Sequence, residues 1–124
     1  FDMIMLKDNH IDVAGGISAA INRTKEYLRA IDKKLPVEVE TRTLAEVGEV
    51  LEAGGVDIIM LDNMDTATMR EAVKLIGGRC KTEASGGITE DTIVSVAECG
   101  VDYISVGELT HTIASMDLSL KARS

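Results

Sequence analysis

Short runs of Ile, Val, Leu and Met recur along the chain, separated by longer stretches whose apolar residues return every three or four positions. A run of four to six apolar residues suits one strand, whereas the three-to-four return marks one face of a helix. The runs predict strands near 3–7, 36–40, 57–61, 81–84 and 102–106, with a weaker sixth at 117–120. The periodic stretches predict helices near 15–32, 43–53, 66–76 and 90–98. In Asp57-Ile-Ile-Met-Leu-Asp62 the apolar residues are continuous rather than alternating, as expected of a strand covered on both faces in a parallel sheet.

Turn and cap residues support the same division. Thr43 with Glu46, and Thr89 with Thr92, stand where an N-cap and first turn belong, and the first pair has capping-box chemistry. Gly54-Gly55, Gly77-Gly78 and Gly100 follow three of the helices, where left-handed C-cap residues are expected. Pro36 opens the second strand, where a missing N–H costs least. Strand ends fall near 7, 40, 62, 85 and 107, at intervals of 33, 22, 23 and 22 residues. The regularity predicts an α/β protein whose successive βα units form part of an open TIM-like barrel, since a closed eight-unit barrel takes about 250 residues. A flavodoxin-like doubly wound sheet is the alternative.

Charge and composition narrow the partners. Thirteen basic against twenty-one acidic residues give a formal charge of -8, which repels polyphosphate backbones and argues against general nucleic-acid binding. An anionic ligand must then be held by a local arrangement of donors. With 124 residues, 45% of them hydrophobic, the chain can bury one modest core, as one domain or part of one. No apolar run approaches the roughly 20 residues of a membrane span and no secretory leader is present, so a soluble, cytoplasmic protein is expected. Cys80 and Cys99 lack metal-ligand spacing and are expected to be reduced packing residues. The first residues, Phe1-Asp-Met-Ile-Met-Leu-Lys7, already lie inside an apolar strand, so the chain is expected to begin within a larger protein.

Ligands of parallel α/β folds gather at the carboxyl ends of the strands. Here those ends read Leu6-Lys-Asp-Asn-His10, Val37-Glu-Val-Glu40, Leu61-Asp-Asn63, Glu83-Ala-Ser-Gly-Gly87 and Val106-Gly-Glu108. One lysine and several carboxylates would converge on one mouth. Ser85-Gly86-Gly87-Ile88, leading into a helix at Thr89, is either an ordinary glycine turn or a phosphate cradle, and Gly107 one βα unit later favours the cradle. Glu40 and Asp62 could form structural salt bridges or helix caps. Beside a phosphate site they would instead hold ribose hydroxyls or a divalent metal, or stabilise a developing cation. Lys7 could be a Schiff-base nucleophile, as in an aldolase, an anion clamp, or a paired lysine without catalytic importance. His10 and His111 suit loop or capping positions better than a zinc site, because no His-x-x-x-His spacing joins them.

Five segments in register, Met5-Leu-Lys-Asp-Asn-His-Ile11, Val37-Glu-Val-Glu-Thr41, Met60-Leu-Asp-Asn-Met64, Glu83-Ala-Ser-Gly-Gly-Ile88 and Gly100-Val-Asp-Tyr-Ile-Ser-Val-Gly-Glu-Leu-Thr-His111, resemble the quinolinate phosphoribosyltransferase family. The likeness runs from the first residue to about Lys121. It implies transfer of a phosphoribosyl group from phosphoribosyl pyrophosphate to quinolinate with decarboxylation, giving nicotinate mononucleotide, pyrophosphate and CO2 in NAD biosynthesis. Magnesium would accompany the donor, and a homodimer or higher homo-oligomer is expected. Residues 1–124 would be a partial barrel, without the N-terminal sandwich domain and first barrel segments of the family. By the same resemblance Lys7 contacts the substrates' anionic groups, and Glu40 and Asp62 form the acidic pair near the ribose and metal. Ser85, Gly86, Gly87, Gly107 and His111 would bind the 5'-phosphate. Glu108 stands where a small residue is common, which leaves only its backbone as a donor. The arginine-rich segments that grip quinolinate lie upstream in the family, so the chain alone is expected to be inactive. The alternatives are a sugar-phosphate-binding half-barrel without activity, or a related nicotinate phosphoribosyltransferase.

Overall fold

The computed structural model describes residues 2–107 and 109–112, the last four by their backbone alone. Strands β1 (Ile4–Leu6), β2 (Val37–Thr41), β3 (Ile58–Asp62), β4 (Lys81–Ser85) and β5 (Tyr103–Val106) alternate with helices, and β6 (Leu109–Thr112) closes the order. The first five strands pair in parallel in sequence order, and β6 folds back antiparallel on β5. Sequential order is the order of a barrel; a flavodoxin-like sheet would place β2 at an edge outside β1 with β3 on its other side. The expected α/β fold of successive βα units is therefore present, as an open sheet.

The helices explain why the sheet tolerates a continuous apolar run on one face. Helices α2 (Ile17–Ala30), α3 (Leu44–Ala53) and α4 (Thr66–Ile76) pack side by side in chain order. Val39, Ile59, Leu61, Ala84 and Ile104 meet them with no exposed surface, opposite Val47 and Val50 of α3 and Ala72 of α4, which are equally buried. Truncating Leu61 to Ala would cost about 2 to 5 kcal/mol, through lost transfer energy and the cavity left behind.

Caps set the helix starts. Thr43 accepts the Glu46 amide through its hydroxyl at 3.1 Å, and the Glu46 carboxylate returns to the Arg42 amide at 2.7 Å. This is the predicted box with its return bond one residue earlier. Asp65, which the sequence reading passed over, caps α4 by accepting the Thr68 amide at 2.7 Å. That bond holds its carboxyl below the usual range.

Several expectations change. The segment predicted as one helix over 15–32 follows a separate helix, α1 (Asp8–Ala14). Gly15 ends α1 at φ 96 and Gly16 precedes α2 at φ 129, so the Gly-Gly pair breaks the backbone instead of starting a helix. The helix predicted at 90–98 shrinks to α5 (Ile93–Ala97), preceded by a turn in which the Thr92 and Ile93 amides both reach the Thr89 carbonyl. The weak strand at 117–120 and residue Glu108 lie outside the described residues. Among the described residues no helix is long and apolar enough to cross a membrane.

Candidate active site

Side chains alternate across a strand, so the register decides which residues share a face. Glu40 pairs with Met60, Met60 with Glu83, and Asp62 with Ser85. Glu40, Asp62 and Ser85 thus occupy the same face, away from the helices, at the carboxyl ends of β2, β3 and β4. Lys7 follows β1 as the N-cap of α1. Behind it, the Asp8 amide donates to Glu40 Oε1 at 3.3 Å. Asp8 in turn pairs with Arg42 at 3.5 Å, both side chains half exposed. Burial pushes the Glu40 carboxyl above its ordinary pKa; the Asp8 amide opposes this, negative Asp62 and Asp8 add to it, and Lys7 offsets it. Lys7 and Asp62 therefore each lie within electrostatic range of Glu40.

The Gly-Gly loop belongs to the same mouth. The Asn63 amide donates to the Ser85 carbonyl at 2.8 Å, which carries the β3–β4 pairing one residue past the end of β3. Gly86 then turns at φ 86, and a Cβ there would lie 2.8 Å from Asp62 Oδ1 and 2.9 Å from the Asn63 amide nitrogen. Glycine is required at this position by both space and φ. Gly87 and Gly107 also have positive φ, at 66 and 63. The expectation that this loop leads into a helix at Thr89 is corrected: α5 has five residues and starts six positions after Gly87, and the Thr89 amide is occupied by Thr92 Oγ1. Attraction for an anion must then come from the amides of the loop itself.

Register places His111 opposite Ile104, in the body of the β5–β6 hairpin; its side chain lies outside the description, as does all of Glu108. His10 is exposed in the first turn of α1. Both cysteines are free, and burial raises their thiol pKa values, as suits packing residues. Among the described residues no group of three or more His, Cys, Asp or Glu could hold a metal ion. A separate cleft of about 510 Å³ opens at the other end of the sheet, lined among others by Lys25, Lys33, Lys34 and Asp57; none of the predicted site residues borders it.

Sequence reading missed a second acidic pair below the mouth. Glu38 and Glu83 share the face of Glu40 and Asp62 but sit mid-strand, 1% and 7% exposed. Ser105 Oγ lies 2.5 Å from Glu83 Oε2. The signal was present in the alternation of Val37-Glu-Val-Glu-Thr41, which puts Glu38 on the face of Glu40.

The comparisons with known proteins fit this arrangement. Residues 1–121 match the family described as quinolinate phosphoribosyl transferase, C-terminal domain. The chain is 47% identical over 135 residues to quinolinate phosphoribosyltransferase [decarboxylating] 1b of Nicotiana tabacum, covering 98% of this chain and 39% of that protein. It is 48% identical over 135 residues to the chloroplastic nicotinate-nucleotide pyrophosphorylase [carboxylating] of Arabidopsis thaliana, with the same coverage of 98% and 39%. The crystal structure of NadC from Streptococcus pyogenes superposes with a TM-score of 0.78 at 44% identity, over 89% of this chain and 37% of that one. The chain thus spans about two fifths of the length of these relatives. With its strand-end residues, its sequential sheet and the match of residues 1–121 to the family's C-terminal domain, it belongs to the quinolinate phosphoribosyltransferase family.

Proposed function

We propose that this chain is the donor-holding part of an enzyme that transfers the phosphoribosyl group of phosphoribosyl pyrophosphate to quinolinate with loss of CO2. The observation that carries this reading is the convergence of Glu40 and Asp62 with the Ser85-Gly86-Gly87 loop on one strand-end mouth. The loop amides, with the backbone of Gly107, receive the 5'-phosphate, and the ribose extends from there across Asp62 and Glu40. His111 and the Glu108 backbone complete the phosphate site in this proposal.

Breaking the bond from the anomeric carbon to pyrophosphate builds positive charge on the ribose ring and negative charge on the leaving group. Carboxylates at Glu40 and Asp62 suit the first and the Lys7 ammonium suits the second. Magnesium brought with the donor's pyrophosphate would help Lys7 neutralise the leaving group. The quinolinate nitrogen attacks as the pyrophosphate bond breaks. The adjacent carboxylate then leaves as CO2; the electron pair of the broken C–C bond stays on the ring carbon, stabilised by the neighbouring cationic nitrogen, until a proton from water takes it up, so no electron-sink cofactor is needed. The chain's contribution is positioning and electrostatics without a covalent intermediate. The enzyme works as a homo-oligomer in the cytoplasm in this proposal, although the Arabidopsis relative's name assigns that protein to the chloroplast.

The test is turnover by a full-length enzyme carrying this chain. Quinolinate and phosphoribosyl pyrophosphate with magnesium should yield nicotinate mononucleotide, pyrophosphate and CO2 in equal amounts. Donor binding without product would favour a sugar-phosphate-binding role, and product from nicotinate but not quinolinate would favour the related transferase. The 124-residue chain alone should show no turnover and should associate through the unpaired edge of β1.

A further inference from the structure

The Glu38–Glu83 pair has no role in the steps above, yet both residues are more than nine-tenths buried on the inner face of the sheet. Glu38 comes within hydrogen-bonding reach of Glu83, which in turn meets the Ser105 hydroxyl, so the contacts run from β2 past β3 to β4 and β5. Two carboxylates cannot hydrogen-bond to each other without a proton between them. Glu38 Oε2 also has no hydrogen-bond partner among the described residues. An orphaned anionic oxygen costs far more in the interior than the orphaned carbonyl oxygen of a neutral acid. The charged or titratable groups sharing this face are Glu40 and Asp62 toward the mouth, Lys81 at the exposed amino end, Tyr103 beside Glu83, and Lys7 beyond β1. Burial comes first, the hydrogen bond to Glu83 next and the repulsion of its charge last; together they push the Glu38 carboxyl up to about 8.

We propose that Glu38 and Glu83 hold one proton between them and, with the Ser105 hydroxyl, act as a positioning strut that fixes Glu40 and Ser85 at the mouth. Each residue of the pair lies two positions before the mouth residue on its own strand and on the same face, so a shift in the strut moves both strand ends together. Glu38 and Glu83 do not touch substrate. They act through Glu40 and the Ser85 loop, and this role rests on the reaction proposed above.

The experiment joins infrared spectroscopy to kinetics on a full-length enzyme carrying this chain. At neutral pH the protein should show the carbonyl band of one un-ionised buried carboxyl, absent in Glu38→Gln. Glu38→Gln donates its amide permanently to Glu83, so it should keep kcat near neutral pH while losing the alkaline fall that the parent shows when the shared proton leaves. Glu38→Leu removes the strut and should lower kcat by about 10- to 100-fold, with a smaller change in KM for the donor, as misplacement of reacting groups does. No un-ionised band, an alkaline limb unchanged in Glu38→Gln, or normal kcat in Glu38→Leu would each overturn the proposal. If Glu38→Leu fails to fold, the isosteric Glu38→Gln variant still decides it. The infrared result stands whether or not quinolinate is the substrate, so failure of the strut and failure of the proposed reaction are distinguishable.

Discussion

Aspartates and glutamates stand at both ends of the sheet, and their surroundings separate two uses. At the amino end, Asp57 Oδ2 accepts the Val37 amide at 2.8 Å while the Asp57 amide donates to the Val37 carbonyl at 2.9 Å. Two βα units later Asp102 does the same for Thr82: its Oδ2 accepts the Thr82 amide at 2.9 Å and its own amide donates to the Thr82 carbonyl at 3.0 Å. Both follow the same Gly-Val pair, Gly55-Val56 and Gly100-Val101, so one local sequence builds one device twice. At the carboxyl end Glu40 accepts a single long bond, and among the described residues nothing hydrogen-bonds to the Asp62 carboxylate. A carboxylate whose oxygens are occupied by a neighbouring strand holds the sheet together, whereas one left open beside a like charge is available to a ligand.

This contrast predicts a split between rate and stability. In the full-length enzyme, Glu40→Gln and Asp62→Asn should each raise the catalytic barrier by about 2 to 4 kcal/mol, with a smaller loss of donor affinity. Thermal unfolding should show no destabilisation from Asp62→Asn. Lys7→Ala should weaken donor binding as well as turnover. Steady-state kinetics with melting curves on the same preparations separate these effects, and near-normal turnover in Asp62→Asn would break the comparison.

Next in size is Gly86→Ala, which meets both a left-handed φ and the Asp62 and Asn63 atoms. It should cost about 2 to 4 kcal/mol and disturb the mouth. Gly78→Ala is the control, since φ is 80 there but no atom lies within 4 Å, and it should cost about 1 kcal/mol with activity retained. Equal effects in denaturant titrations would remove the close approach as the reason for Gly86.

At the amino end, Asp102→Ala orphans the buried Thr82 amide and should cost about 1 to 3 kcal/mol of stability while leaving the kcat of folded enzyme unchanged. A pH series sharpens the inner face. Because the folded pKa of Glu38 is raised, its neutral form contributes stability fully below the ordinary value of 4.5, and this is lost as pH rises through about 8. Unfolding free energy should therefore fall over that window by a few kcal/mol, and Glu38→Gln should flatten the decline. The smallest effect belongs to Thr43→Ala, about 1 kcal/mol from loss of the α3 cap.

The strands at the centre of the sheet were legible because covered parallel strands need continuous apolar runs, and Asp57-Ile-Ile-Met-Leu-Asp62 can hardly fold otherwise. Lys7, Glu40 and Asp62 were legible for the same reason, since an equal position in successive βα units fixes an equal position at the mouth. What escaped depended on partners distant in sequence. Gly15-Gly16 looked like a helix start because its left-handed backbone is invisible in composition, and α1 was lost with it. The short α5 was overextended because Thr89 and Thr92 bond to each other in a turn before the helix begins. Glu38 and Glu83 read in sequence as ordinary strand residues; their approach across β3 depends on the register of three strands, which no single segment carries.

The most direct test of the mouth is the structure of a full-length enzyme carrying this chain with phosphoribosyl pyrophosphate and magnesium bound. The account predicts the 5'-phosphate within hydrogen-bonding distance of the Ser85, Gly86 or Gly87 amides, with the ribose hydroxyls facing Asp62 and Glu40. A donor seated elsewhere, with its phosphate away from this loop and its ribose out of reach of both carboxylates, would contradict it.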